Sequence, residues 1–351
     1  MNWNFYLKTT ETCNLNCKHC FTNGSNGPKI YWEHLKVINW LKEFRRLNPA
    51  KDDFAHLEFH GGEPFLAPVS QMQEVYDECK DLWENQSWGI TTNLVFKLTD
   101  EHIKFIQGPL QGRIGTSWDP DIRFANPKQY DLWRKNVTTL LELGVQIKLF
   151  VSVTSGTLKI EPIDLLEWVR DLGVQELALE RLTHNGSANK HPEIFPTNIE
   201  QDAWFLKMHQ QSQEHDARHW FHNEFMETIY TKFDTGQTQI GTFCRDCEEK
   251  LFTLNASGTI GGCPNGAPEE WFGTIDDPIV DLLTSPQRIN NIACERARNP
   301  ACYSCDVFDV CSGDCHQLSW QGNVCGAPKS LMRHLKNGTK NTHKVWMLTK
   351  A

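Results

Sequence analysis

No apolar run in this 351-residue chain approaches the roughly 18 residues that a membrane helix needs. The N-terminus, Met1-Asn2-Trp3-Asn4, lacks the basic and apolar regions of a secretory signal. Positive charge is not in excess either: 35 Lys and Arg against 44 Asp and Glu leave a net charge of −9. General nucleic-acid binding through a broad basic surface is therefore disfavoured, although a local basic patch stays open. There is no short repeat and no low-complexity segment. With 39% hydrophobic and 23% charged residues, the composition is that of an ordinary globular chain. The length suggests two domains, or one large domain with an appendage.

What the chain has in quantity is cysteine. Thirteen cysteines without a leader sequence point to reduced thiols that hold metal, because disulfides rarely persist in the cytoplasm, the expected location. The odd number also argues against a closed disulfide framework. Cys13, Cys17 and Cys20 form one group, Cys79 stands alone, and the other nine lie between Cys244 and Cys325. Two metal-binding regions, far apart in sequence, are expected.

Alternation of apolar residues predicts strands at 4–9, 54–59, 87–92, 113–118, 146–153 and 175–180. Helical periodicity lies between them, near 31–47, 68–84, 99–107, 127–143 and 162–171. In the first helix Trp32, Leu35, Ile38, Leu41 and Phe44 make one apolar face. Such alternation implies right-handed βαβ units and a parallel sheet, an α/β fold closed or partly closed as a TIM-like barrel of six units. The predicted division is 1–190 for the barrel, 191–239 for a helical bridge, 240–328 for a small cysteine-rich domain built around metal, and 329–351 for a tail.

The first cysteine group, Cys13-x3-Cys17-x2-Cys20, follows the first strand directly. Three thiolates on one loop can hold three irons of a cubane and leave the fourth open; a three-cysteine zinc site completed by His19 or another residue is the alternative. The second strand ends in Gly61-Gly62-Glu63-Pro64. Glycines let a ligand approach the backbone, and a carboxylate with nearby carbonyls can accept from an ammonium group. The remaining strands end in Thr91-Thr92-Asn93, Ser117-Trp118-Asp119, Thr154 and Glu180-Arg181. Polar groups thus collect at the carboxyl ends of the strands, the face on which βα barrels build their sites.

On these two motifs the sequence resembles the radical S-adenosylmethionine (SAM) enzymes, whose signature is a C-x3-C-x2-C loop followed by a Gly-Gly-Glu-Pro segment. The resemblance implies a SAM-binding 4Fe–4S cluster on Cys13, Cys17 and Cys20. It also implies reductive cleavage of SAM to a 5′-deoxyadenosyl radical that abstracts hydrogen from a substrate. Gly61, Gly62 and Glu63 would hold the SAM amino group, and Asn93 and Ser117 would line the ribose and carboxylate. Ser117-Trp118-Asp119-Pro120 is similar to a Ser-x-Asp-Gly-Pro segment of peptide-modifying members. Arg123 is the candidate for the SAM carboxylate, with a surface ion-pair arginine as the competing reading. Trp118 is the tryptophan with a positional reason to touch ligand.

The later cysteines run Cys302-x2-Cys305-x5-Cys311-x3-Cys315, with Cys325 beyond, and Cys244, Cys247, Gly258 and Cys263 upstream. This pattern resembles the SPASM extension of the same enzymes. Eight thiols suit two four-thiolate sites. By the resemblance, Cys244, Cys247, Cys263 and Cys315 would hold one auxiliary 4Fe–4S cluster, and Cys302, Cys305, Cys311 and Cys325 the other; two structural zinc sites are the alternative. Cys79 and Cys294 read as buried thiols. His215, His219 and His222, with His209 upstream, would share a helical face and could bind zinc, though a solvated polar helix is commoner.

The family implies an enzyme acting on a peptide or protein, as in ribosomal peptide cross-linking or epimerisation, with a flavodoxin or ferredoxin as electron donor. Cys263 is followed by Pro264, where sulfatase-maturing members place Asp, which counts against formylglycine formation. The first strand begins so early that an N-terminal leader-recognition domain is not expected. A small-molecule substrate is the alternative. Asp119, Glu180 and Asp314 are positional candidates for a general acid or base.

Overall fold

The computed structural model describes residues 2–21, 24–50, 53–235 and 245–338. Six parallel strands pair in chain order: β1 Asn2–Thr10, β2 Phe54–Gly61, β3 Asn85–Thr92, β4 Arg113–Ser117, β5 Gln146–Val153 and β6 Glu176–Arg181. The crossover helices are α1 His34–Leu47, α2 Val69–Cys79, α3 Asp100–Gln107, α4 Pro127–Glu142 and α5 Pro162–Asp171. Local chemistry sets their starts. Thr99 accepts from the His102 amide ahead of α3, and Asn126 accepts from Gln129 with Pro127 in the first turn of α4, placing a side-chain acceptor on otherwise unpaired amides.

Alternation along β1 divides its side chains between two environments. Phe5 packs against Trp40 and Phe44 of α1, and Trp3 against Phe44, so this face looks outward to the helices. Tyr6 and Lys8 therefore face the barrel lumen. Thr116 of β4 accepts from the Trp133 indole of α4, which turns its neighbours Gly115 and Ser117 inward.

The sheet is wider than expected, with ten strands in the order β10-β9-β8-β1-β2-β3-β4-β5-β6-β7. Beyond β6, β7 His222–Asn223 adds in parallel. On the other edge, β8 Leu251–Leu254 pairs parallel with β1 (Asn4 opposite Leu251, Leu7 opposite Leu254). The short strands β9 Thr259–Gly261 and β10 Gly273–Thr274 continue antiparallel. The segment expected to stand apart from residue 240 thus extends the barrel's own sheet. One hydrophobic cluster runs from Phe5 and Leu57 through Phe252 to Val307 and Leu331.

Three helical expectations need correction. The helix predicted to residue 84 stops at Cys79, because the chain turns back there through the Leu82 amide on the Cys79 carbonyl. The helical bridge expected over 191–239 holds two helices, α6 Asn198–Glu214 and α7 Glu224–Thr235, split at left-handed Asp216 (φ 52°). His215, His219 and His222 consequently share no helix: His215 caps α6, His219 pairs with Asp216, and His222 lies in β7. His209 is buried, with Nδ1 2.6 Å from the Tyr230 hydroxyl. The cysteine-rich region contributes α8 Cys247–Lys250, α9 Ile279–Leu283, α10 Pro286–Arg296 and α11 Phe308–Cys311. The predicted tail begins as α12 Lys329–Asn337, which buries Leu331, Met332 and Leu335 and packs on α6. No helix among the described residues is long and apolar enough to cross a membrane.

Candidate functional site

The cysteine loop leaves β1 and is bonded at once to the glycine segment. Gly62 donates to the Thr10 carbonyl at 2.8 Å, and the Glu63 amide to the Thr12 carbonyl at 2.9 Å. A Cβ at Gly61 (φ 136°) would lie 2.3 Å from the Thr10 oxygen, and one at Gly62 2.2 Å from the Thr12 oxygen. These glycines are therefore demanded by the cysteine loop's own backbone, where the sequence suggested only an approaching ligand.

Glu63 is fully buried. Its Oε1 accepts from the Phe65 amide and the Thr92 hydroxyl, and its Oε2 accepts from the Asn93 amide at 2.6 Å. Burial raises its pKa to about 7 against the pull of these bonds, that of Asn93 first. Asn93 carries the connection onward: its Nδ2 donates to Asn14 Oδ1 at 2.8 Å and to Cys13 Sγ at 3.6 Å. Cys13 Sγ also accepts from the Leu15 amide at 3.4 Å. A sulfur held by N–H donors is the environment a cluster thiolate requires, and in this respect the residues fit an iron–sulfur group. As the protonated thiol, Cys13 is pushed by burial to about 11 and Cys17 to about 12.

Arg123 is not a surface residue. Its Nε donates to Asp119 Oδ2 at 2.7 Å, Nη2 lies 3.3 Å from His19 Nε2, and the Cys17 thiol reaches the Arg123 carbonyl at 3.8 Å. Asp119, completely buried, also accepts from the Ser152 amide at 2.7 Å. His19, within the cysteine loop, is pushed by burial down to about 4 and stays neutral. Ser117 ends β4 beside this group and is half-buried. Trp118, expected to face ligand, stacks on Trp168 at 4.1 Å; the alternation that points Ser117 inward turns it toward α5.

The later cysteines fall in two places. Cys302, Cys305, Cys311 and Cys325 line one cavity of about 60 Å³, with Asp314, Trp320 and Asn323 in its wall. Cys263 lies near Cys315, whose charge raises its pKa further above the value set by burial. Cys244 lies outside the described residues. Cys294, expected to be buried, is exposed on α10, while Cys79 is buried. Among the described residues, no three His, Cys, Asp or Glu side chains close to the spacing of a single metal ion. Asp314, between Cys311 and Cys315, takes two bonds from Arg181 (2.6 and 2.7 Å) and one from the Cys315 amide (2.7 Å). Arg181, from the end of β6, thereby ties the barrel to this region.

Sequence reasoning missed the lumen beneath these loops. Tyr6 meets His60 edge-on at 5.7 Å, and Phe21 stacks on His60 at 5.8 Å. Glu58 bonds His56 and Thr91. Burial lowers His60 to about 4 and raises Tyr6 above its usual range. Every second residue of β1 and β2, read inward, would have revealed this polar lining. Of the acid–base candidates, Asp119 and Asp314 are engaged by arginines, whereas the pKa of Glu180, at the end of β6, is raised, by desolvation first and then by the charge of Glu224.

No protein-family model matches the chain. An uncharacterized protein of Methanocaldococcus jannaschii is 30% identical over 116 residues, 32% of this chain and 37% of that protein. The GTP 3′,8-cyclase of Nautilia profundicola is 26% identical over 178 residues, 48% of this chain and 52% of the cyclase. The chain thus spans about half the length, or less, of these curated relatives. Among solved structures, anSMEcpe with bound AdoMet (SAM) superposes with a TM-score of 0.77 at 16% identity, covering 94% of both chains. Its complex with AdoMet and the Kp18Cys peptide gives 0.78 at 14%, covering 96% and 95%. Streptococcus suis SuiB bound to precursor peptide SuiA gives 0.64 at 14%, covering 90% of this chain and 72% of SuiB.

At these identities the neighbours show the fold: a partial α/β barrel with a cysteine-rich extension. On that barrel the Gly61-Gly62-Glu63-Pro64 segment is hydrogen-bonded to Thr10 and Thr12, which lead into the Cys13-x3-Cys17-x2-Cys20 loop at the carboxyl end of the sheet. The chain thus shares the fold of these neighbours, and it carries on that fold the two motifs by which its sequence resembles the radical SAM enzymes.

Proposed function

We propose that this enzyme matures a peptide or protein, using SAM and three 4Fe–4S clusters. The observation that carries the reading is the bonded chain from Glu63 through Asn93 to Cys13 Sγ, which joins the amine-binding motif to the first cluster loop. Bound there, a cluster and SAM supply one-electron cleavage and hydrogen abstraction. Cys13, Cys17 and Cys20 hold the SAM cluster. Gly61, Gly62 and Glu63 fix the wall that meets the SAM amino group, and Asn93 and Ser117 line the remainder of the SAM site. Arg123 spends Nε on Asp119 and turns Nη2 to His19, leaving Nη1 for the SAM carboxylate. Cys244, Cys247, Cys263 and Cys315 hold one auxiliary cluster, and Cys302, Cys305, Cys311 and Cys325 the other. The shared cavity of the second four supports that division, as does the proximity of Cys263 to Cys315. In this reading residues 1–190 are the barrel, 191–239 a bridge and 240–328 the auxiliary domain, and a flavodoxin or ferredoxin supplies electrons.

A peptide substrate is supported by the peptides named with the neighbouring structures. The likeness to a GTP cyclase favours the second reading, a small-molecule substrate. The test is anaerobic reconstitution followed by metal analysis and SAM turnover with candidate peptides. About twelve iron and twelve sulfide per chain, from three cubanes, are expected, together with 5′-deoxyadenosine and a modified peptide. Zinc in place of iron would refute the cluster assignment. Turnover of a nucleotide with no change in any peptide would favour the second reading.

A further inference from the structure

Lys8 is a buried cation that the proposed mechanism does not use. It faces the lumen from β1 and is 5% exposed. Its Nζ lies 5.3 Å from the Phe21 ring centroid. Among the described residues Lys8 forms no ion pair and no hydrogen bond through Nζ. Burying an ammonium group without a partner is costly, so such a group either loses its proton or meets negative charge in the working protein. Glu11, Cys20 and Cys263, in that order, pull its pKa up, and burial outweighs them.

Geometry ties Lys8 to the first cysteine loop, and that loop to the second. Phe21, under its Nζ, directly follows Cys20. The Ser187 amide donates to the Cys20 carbonyl at 2.7 Å, and the Asn185 side-chain amide donates to the Asn265 carbonyl, two residues past Cys263. A Cβ at Gly186 (φ 52°) would come within 2.6 Å of the Cys20 and Phe21 backbones, so the 185–187 segment is pressed tightly onto the first loop. One three-residue segment therefore staples the Cys20 loop to the Cys263 loop. Lys8 stands on β1 one residue past the Leu7–Leu254 register pair.

We propose that Lys8 is a positioning charge shared by the SAM cluster and the first auxiliary cluster, stabilising the reduced state of both. The inference rests on the cluster assignment above. Reduction adds one negative charge to a cluster, and a nearby buried cation favours that state because screening is weak inside the protein. The cavity lined by Cys302, Cys305, Cys311 and Cys325 shows no such link to Lys8: neither the staple nor the groups acting on its charge include these cysteines.

The experiment is an EPR-monitored redox titration of the reconstituted holoenzyme for parent, Lys8→Met, Lys8→Gln and Lys8→Arg. Signals are assigned by adding SAM and by Cys302→Ala/Cys305→Ala. In Lys8→Met and Lys8→Gln the potentials of the SAM cluster and the first auxiliary cluster should both become more negative. The second auxiliary cluster should stay unchanged, and Lys8→Arg should restore the parent values. Unchanged potentials in both neutral variants, or an equal shift of all three clusters, would overturn the proposal. If Lys8→Met loads poorly, the neutral and more polar Lys8→Gln decides. A parent protein that takes up no three clusters would instead refute the underlying assignment.

Discussion

Replacing Arg181 by Met should be among the most damaging single changes outside the cysteines. The Arg181 and Asp314 side chains are 3% and 5% exposed and meet through two bonds of 2.6 and 2.7 Å. Arg181 also donates to the Gly326 carbonyl at 2.9 Å and lies over the Phe225 ring. Removing the guanidinium leaves a buried carboxylate whose remaining partner among the described residues is the Cys315 amide. Removing one member of such a pair costs about 3–5 kcal/mol, whereas replacing both by apolar groups is often close to neutral. Arg181→Met and Asp314→Leu should each lower urea-unfolding stability by that amount in reduced apoprotein, and the double variant should recover most of it, giving a large coupling energy. Because Asp314 also holds the Cys315 amide, Arg181→Met should bind less iron after reconstitution while Cys13, Cys17 and Cys20 keep theirs. A single variant with the parent's urea midpoint, or a double variant as unstable as the sum of the singles, would refute the argument.

Replacing Cys13, Cys17 and Cys20 by Ala should remove about a third of the iron and abolish 5′-deoxyadenosine formation; metal analysis and chromatography would show both. Glu63→Ala removes three hydrogen bonds and frees Asn93. At about 1.5–3 kcal/mol for bonds to a charged group, SAM affinity measured by equilibrium dialysis should fall roughly ten- to hundredfold with the clusters intact. His60 has a folded pKa near 4 against 6.5 unfolded. Its contribution to stability is therefore complete above pH 6.5 and is lost as pH falls toward 4, amounting to at most about 3 kcal/mol. His60→Gln should lose less stability than the parent between pH 7 and 5, as read from urea midpoints; equal losses would exclude this role. Cys302→Ala/Cys305→Ala should still form 5′-deoxyadenosine slowly but with less modified product per 5′-deoxyadenosine, and an unchanged ratio would make the second auxiliary site a structural cap.

The six barrel strands were legible because each carries enough alternation to declare itself, and β5 begins and ends where its pattern does. Four-residue β8, with all of Leu251–Leu254 buried, shows no alternation, and β7 and β10 have two residues each. Such strands exist only because a neighbouring edge is there to pair with, and sequence does not display that neighbour. The same limit hid the break at Asp216, whose left-handed backbone interrupts a run of good helix formers. At the site, residue types and spacing were enough to single out Cys13–Cys20 and Glu63, which the fold brings together. The direction of Trp118 and the service of Gly61 and Gly62 to the loop backbone depend on tertiary placement. Lys8 was legible only once the outward packing of Phe5 had fixed which face of β1 looks into the lumen.

The pairing of β8 with β1 also sets an order of assembly. Residues 4–7 find their second hydrogen-bonded neighbour in residues 251–254, so one side of β1 stays open until synthesis has passed residue 254. Contacts of such long sequence separation form late, and an unpaired strand edge invites association with other chains in the interval. A fragment ending before β8 should expose that edge permanently and aggregate, whereas one extended through Thr274 would carry its own cover. Closure of the barrel's β1 edge therefore belongs to the cysteine-rich segment, and a change that unfolds that segment should uncover the edge again.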